Sequence, residues 1–72
     1  MQSIWICRGD SRNFSFESFG ATKAEALIEF AAGLRRHADE TGARQSWVDE
    51  MITEAEPRQV SIGGFYRDRE RL

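Results

Sequence analysis

The side chains best suited to chemistry in this chain are few: one thiol, Cys7, one imidazole, His37, and a set of carboxylates. A tetrahedral zinc site of the usual kind draws four ligands from Cys and His, so one of each cannot assemble it, and no spaced run of Asp has the pattern of a calcium loop. A lone cysteine also excludes an internal disulfide, and in the alternating stretch "SIWICR" it reads as a small apolar strand residue. The paired carboxylates, Glu25 with Glu29 and Glu50 with Glu54, stand one helical turn apart on polar faces, as ordinary solvated charges do. Glycines form no phosphate-cradling pattern, Gly63-Gly64 being only a doublet, and no nucleophile-elbow serine is present. We therefore expect no catalytic residue, no metal and no cofactor, and a protein that is not an enzyme.

What remains is chemistry of contact. The chain closes on "GGFYRDRERL", in which Phe65 and Tyr66 could stack on bases while Arg67, Arg69 and Arg71 reach phosphates. Asp68 and Glu70 oppose that use: on a strand the three arginines would line one face and the two acids the other, a two-sided ribbon suited to a paired edge or a charge-matched protein surface. Trp5 and Trp47 are of the type enriched where interfaces concentrate their energy. Glu25, Glu29, Arg36 and Glu40 fall on the polar side of the longer helical stretch. The net charge of −2 argues against a general nucleic-acid coat. Acids and bases are unevenly spread, with nine acids against four bases over residues 17 to 56 and four arginines against two acids from 57 to 72.

The elements that hold these residues follow from periodicity. "SIWICR" alternates Ile4 and Ile6 with Trp5 and Cys7, so neither face of that strand is plainly polar. "GDSRN" is turn chemistry, and "FSFES" resumes alternation, completing a β-hairpin in which Phe19 breaks the pattern by a bulge or by the strand ending. Thr22 is placed to cap a helix, with Glu25 closing a capping box. The helix carries an apolar stripe of Ala24, Leu27, Ile28, Ala31, Leu34 and Ala38, with Phe30 and His37 on its flank and Arg35 reaching toward Asp39. Gly42 stops it. Ser46 and Asp49 repeat the capping pattern for a shorter helix with Trp47, Val48, Met51, Ile52 and Ala55 on one side, ended by Pro57. "RQVSI" then makes a third strand with Val60 and Ile62 inward.

The expected fold is a single α+β domain, ββααβ, with a three-stranded antiparallel sheet and one long and one short helix on one face; the order is 2-1-3 if the second helix lies across the first, and strand three falls beside strand two if the helices form a true hairpin. Such a sheet has two open edges, and a chain of 72 residues buries only about 60% of its unfolded surface, so pairing through an edge into a homodimer is expected. No apolar run approaches the roughly 20 residues of a membrane span, and "MQSIWIC" has no basic segment before a long apolar one; no membrane is expected, and a soluble cytoplasmic protein is.

The stretch "FESFGATKAEALIEFAAGLRRHADETG" resembles the strand, Gly-x-Thr, x-Glu-Ala and amphipathic helix of HicB-like antitoxin domains, carried by Gly20, Thr22, Glu25, Ala26 and Leu27. That resemblance implies a helix on a small antiparallel sheet and a small toxin as partner. In size, acidity and lack of catalytic groups the chain is also similar in kind to the small inhibitors, anti-CRISPR proteins among them, that phages carry against bacterial defences, a resemblance that implies a stoichiometric binder presenting Glu25, Glu29 and Glu40, or Asp49, Glu50 and Glu54, to a nucleic-acid-binding surface of its target. The expectation is a non-enzymatic module, phage-borne or prophage-borne, that binds and blocks a host or cognate protein. Binding of single-stranded nucleic acid or a nucleotide through the C-terminal segment is the alternative.

Overall fold

A computed structural model describes residues 2–72. Strands β1 (Ser3–Asp10) and β2 (Ser15–Gly20) form the hairpin, α1 (Lys23–Thr41) and α2 (Gln45–Glu54) follow, and β3 (Arg58–Ser61) returns beside β1. The three-stranded antiparallel sheet and two helices make the expected α+β fold, and of the two strand orders left open the sheet takes β2-β1-β3. Two short strands, β4 (Tyr66–Arg67) and β5 (Glu70–Arg71), then pair with each other alone. The glycine pair thus follows the end of β3 and leads into a separate terminal hairpin.

Core formation sets the rotation of α1. The fully buried set is Cys7, Ala26, Phe30, Leu34 and Val48, with Trp5, Phe16, Leu27, Trp47 and Met51 packed around it. Phe30, expected on the flank, is 3% exposed and stands at the centre, whereas Ile28 is 65% exposed and Ala24 lies in solvent. Space decides this. A Cβ on Gly9 would stand 2.9 Å from the Phe30 ring and 2.7 Å from the tip of Met51, so the missing side chain is the room those residues occupy. A periodic pattern weights Ile28 and Phe30 alike, but the larger ring gains more by burial and takes the hole.

Local chemistry fixes where α1 begins. The Thr22 hydroxyl accepts from the Glu25 N–H at 3.1 Å, and the Glu25 carboxylate accepts in turn from the Ala21 N–H at 3.2 Å, one residue outside the expected capping box. Beneath this first turn the buried Ser18 hydroxyl donates to the Ala26 carbonyl at 2.7 Å, tying β2 to the helix. Gly42 ends α1 with φ 75°, in the left-handed region, its N–H donating to the Ala38 carbonyl at 2.8 Å.

Three local expectations are corrected. Phe19 neither bulges nor ends β2, since the register runs unbroken from Asp10 opposite Ser15 to Trp5 opposite Gly20. The N-cap of α2 is Arg44 in extended conformation with no side-chain cap, so Ser46 lies inside the first turn and Asp49 accepts from the Gln45 amide at 2.9 Å instead; burial of Val48 dictates the start rather than the cap residue. Among the described residues the one ion pair within 4.0 Å is Arg8 with Glu17, so Arg35 and Asp39 do not pair.

Candidate functional site

Alternation along β1 separates two faces with different fates. Trp5 and Cys7 turn to the helices, where burial raises the Cys7 thiol pKa above its ordinary 9.0 by desolvation. A thiol so placed stays protonated and enclosed, the opposite of an activated nucleophile. Ile4 and Ile6 turn to the other face, which no helix covers. Directly opposed strand residues point the same way, so the pairs Ile4 with Val60 and Ile6 with Phe19 put four apolar side chains together there. Phe19 is 55% exposed, and Ile62, next in the alternation of β3, is 54% exposed. The expectation that Val60 and Ile62 face the helices is thus corrected: the half-buried Val60 and the exposed Ile62 lie on the open side, and the helix side of β3 carries the exposed Gln59 and the half-buried Ser61, opposite Trp5 and Ser3.

Polar groups edge this patch. Beyond Ile6, Arg8 and Glu17 face each other across the β1–β2 ladder with Nε 3.3 Å from Oε2, an exposed pair worth well under about 1 kcal/mol. On the other flank stands the terminal hairpin, which makes the sheet face one wall of an open cleft of about 830 Å³. Its rim carries Arg8, Arg58 and Arg69 against Glu17, Glu56 and Asp68, three bases balanced by three acids.

The terminal hairpin is positioned by the residues between β3 and β4. Gly63, at φ 92°, sits in a tight turn closed by the Gly64 N–H donating to the Ser61 carbonyl at 3.1 Å. The chain doubles back, and the Tyr66 hydroxyl accepts from the Ser61 N–H at 2.8 Å while the Arg71 guanidinium donates to the Ser61 hydroxyl at 3.4 Å. Gly64 must be bare, because a Cβ there would stand 2.8 Å from the Tyr66 ring. The hairpin's own two-residue turn is Asp68-Arg69, with φ values of 50° and 70°, a pair of positive angles of the type I′ class that Asn-Gly would fill at less cost.

That geometry revises the ribbon expected from the sequence. Arg67, Arg69 and Arg71 do not share a face: Arg69 occupies the turn, Arg67 opposes Glu70, and Arg71 opposes Tyr66 and bends toward Ser61. The arginines thus fail to form the cationic stripe that phosphates would require. Phe65 is exposed at the base of the hairpin, its carbonyl accepting from the Leu72 N–H at 2.9 Å.

The other residues singled out in the sequence lie in the helical layer. Trp5 is half-buried against the core, and Trp47 is half-buried with its ring centre 5.9 Å from Phe16 and 5.8 Å from His37. His37 also meets Phe14 and Phe16 edge-on at 4.8 Å, so the only imidazole is a member of an aromatic cluster. Glu25 is occupied by its cap, Glu29 borders a shallow groove between α1 and β2, and Glu40 is exposed near the end of α1. The helical acids and the open sheet face therefore belong to opposite sides of the sheet. That Phe19, Val60 and Ile62 lie on the open side is not legible in the sequence, where the one hint is that both faces of "SIWIC" are apolar.

Among the described residues, no three His, Cys, Asp or Glu side chains gather closely enough to hold a metal ion. Among the described residues, no helix is long and apolar enough to cross a membrane. Comparison with known proteins finds no family model that matches the chain, and no curated protein or solved structure similar to it.

Proposed function

We propose that this chain is a non-enzymatic protein-binding module whose recognition surface is the open face of its sheet together with the cleft under the terminal hairpin. The observation that carries this reading is the set Ile4, Ile6, Phe19, Val60 and Ile62 on a face that neither helix covers, with Phe19 and Ile62 exposed and the other three half-buried. In a chain this small, so much uncovered apolar surface is costly in solution unless something else covers it. The balanced rim of three arginines and three acids suits a protein surface better than a polyanion, whose binding draws on excess positive charge. By occupying a partner's surface the module blocks it, in the manner of small phage-borne inhibitors of host proteins.

The test is affinity capture from bacterial lysate with the wild-type chain, an open-face variant (Phe19→Lys with Val60→Lys) and a helical-face control (Glu50→Lys with Glu54→Lys). A partner retained by wild type and the control but lost from the open-face variant supports the reading. Equal retention by all three refutes it.

A further inference from the structure

The two edges of the sheet are not equivalent. At β3 the terminal hairpin stands guard, the Tyr66 hydroxyl taking the Ser61 N–H. β2, six residues long, pairs only with β1, and none of the described residues covers its other edge. A free strand edge of this length is a template for another strand.

Above that edge lies α1, and its middle carries an unexplained glycine. Gly33 sits near the centre of a helix running from Lys23 to Thr41, and a Cβ there would meet nothing within 4 Å. A helix-interior glycine costs about 0.5–1 kcal/mol relative to alanine, and no neighbour in this chain demands its bareness. It lines the groove between α1 and β2 together with Phe16, Phe30 and Glu29. Glu29 stands one turn before Gly33 and Arg36 just under one turn after, both exposed.

We infer that β2 is the self-association edge, with a second copy of this chain adding its own β2 antiparallel to make a continuous six-stranded sheet. The register is constrained by charge. A two-fold axis at Glu17 would oppose two like carboxylates, whereas an axis at Phe16 sets Ser15 of each copy, whose hydroxyl donates to Asp10 at 2.8 Å, opposite Glu17 of the other and keeps the like charges apart. An axis at Phe16 lies beside Gly33, since Ser15, Phe16, Glu17 and Gly33 line the same groove. With strands about 4.8 Å apart, a helix lying over β2 stands within about 10 Å of its two-fold mate. Helices pack at about 8–10 Å between axes, and the small Ala32 and Gly33 at the crossing suit the close end of that range. Antiparallel helices centred there set Glu29 of each copy against Arg36 of the other, two reciprocal ion pairs. Glu25 and Glu40 fall at the far ends, where crossing helices diverge and Glu25 already holds the Ala21 N–H. This edge is separate from the open face, so either assignment can fail while the other stands.

Sedimentation equilibrium of the full chain at tens of micromolar is the test, with wild type, Glu29→Arg, Arg36→Glu and an equimolar mixture of the two variants, each checked for native circular dichroism. Wild type should sediment as a dimer, each variant should dimerise about tenfold more weakly, and the mixture should recover the dimer because each chain then supplies the sign that the other lacks. A wild-type monomer, variants that dimerise as well as wild type, or a mixture no heavier than its components would overturn the inference. Deuterium exchange gives a check that needs no substitution: protection of the β2 amides should rise with protein concentration, and concentration-independent exchange there would count equally against it.

Discussion

Replacing Gly20 by alanine should be the most damaging single-methyl addition in the chain. Gly20 ends β2 on the helix side, opposite Trp5, and the added Cβ would stand 2.5 Å from the Ala26 backbone nitrogen, 2.9 Å from the Glu25 Cβ and 3.0 Å from the Glu25 carbonyl carbon. Ordinary contacts begin near about 3.5 Å, so the first turn of α1 must retreat by roughly an ångström. Overpacking against a backbone costs about 1–3 kcal/mol, and the retreat also strains the 2.7 Å bond from Ser18 to the Ala26 carbonyl, worth about 1 kcal/mol. A total near 3 kcal/mol is a large part of the roughly 4–11 kcal/mol available to a domain of this length, and it corresponds to a fall in Tm of about 12–24 °C. Thermal unfolding followed by circular dichroism reads it directly. Gly33→Ala is the internal control: its Cβ meets nothing, so the helix gains about 0.5–1 kcal/mol when measured dilute enough to be monomeric. If Gly20→Ala unfolded within a degree or two of wild type, the seating of α1 on β2 described above would be wrong.

Other perturbations separate the remaining parts. Thr22→Ala should cost about 1 kcal/mol by stripping the cap from α1, read by urea unfolding with an unchanged m-value. Tyr66→Phe should release the Ser61 N–H and speed its deuterium exchange while leaving the exchange of β1 unchanged. Arg69→Gly should stabilise the terminal hairpin by roughly 0.5–1 kcal/mol, because a positive φ is strained for arginine and free for glycine; a lowered exchange rate in residues 66–71 would show it. Cys7 contributes no pH dependence well below 9.0; above it the unfolded chain ionises its thiol before the folded one does, so stability should fall as pH rises, and less steeply in Cys7→Ala.

The sequence was most legible where chemistry is local. Thr22, Glu25 and Gly42 announce the ends of α1 by hydrogen bonds made within a turn of themselves, and Gly9 to Asn13 announce the first hairpin. It was least legible where partners are distant in the chain. Phe19 and Val60 are each apolar residues in an alternating stretch, and only the register between β1 and its two neighbours places both on the uncovered face. Phe30 and Ile28 could not be ranked by period alone, because the hole above Gly9 is made by another element. The arginines of the terminal segment read as a strand until the turn at Asp68-Arg69, whose positive φ values no propensity favours, divided them between a turn and two paired strands.

The central claim, that the open sheet face is where a protein partner sits, is tested most directly by photocrosslinking in bacterial cells that produce the chain. A benzophenone amino acid would be placed singly at Phe19, at Ile62 or, on the opposite layer, at Glu54. On the reading proposed here, positions 19 and 62 yield a shared adduct of discrete mass and position 54 yields none. An adduct from position 54, with none from 19 or 62, would contradict it.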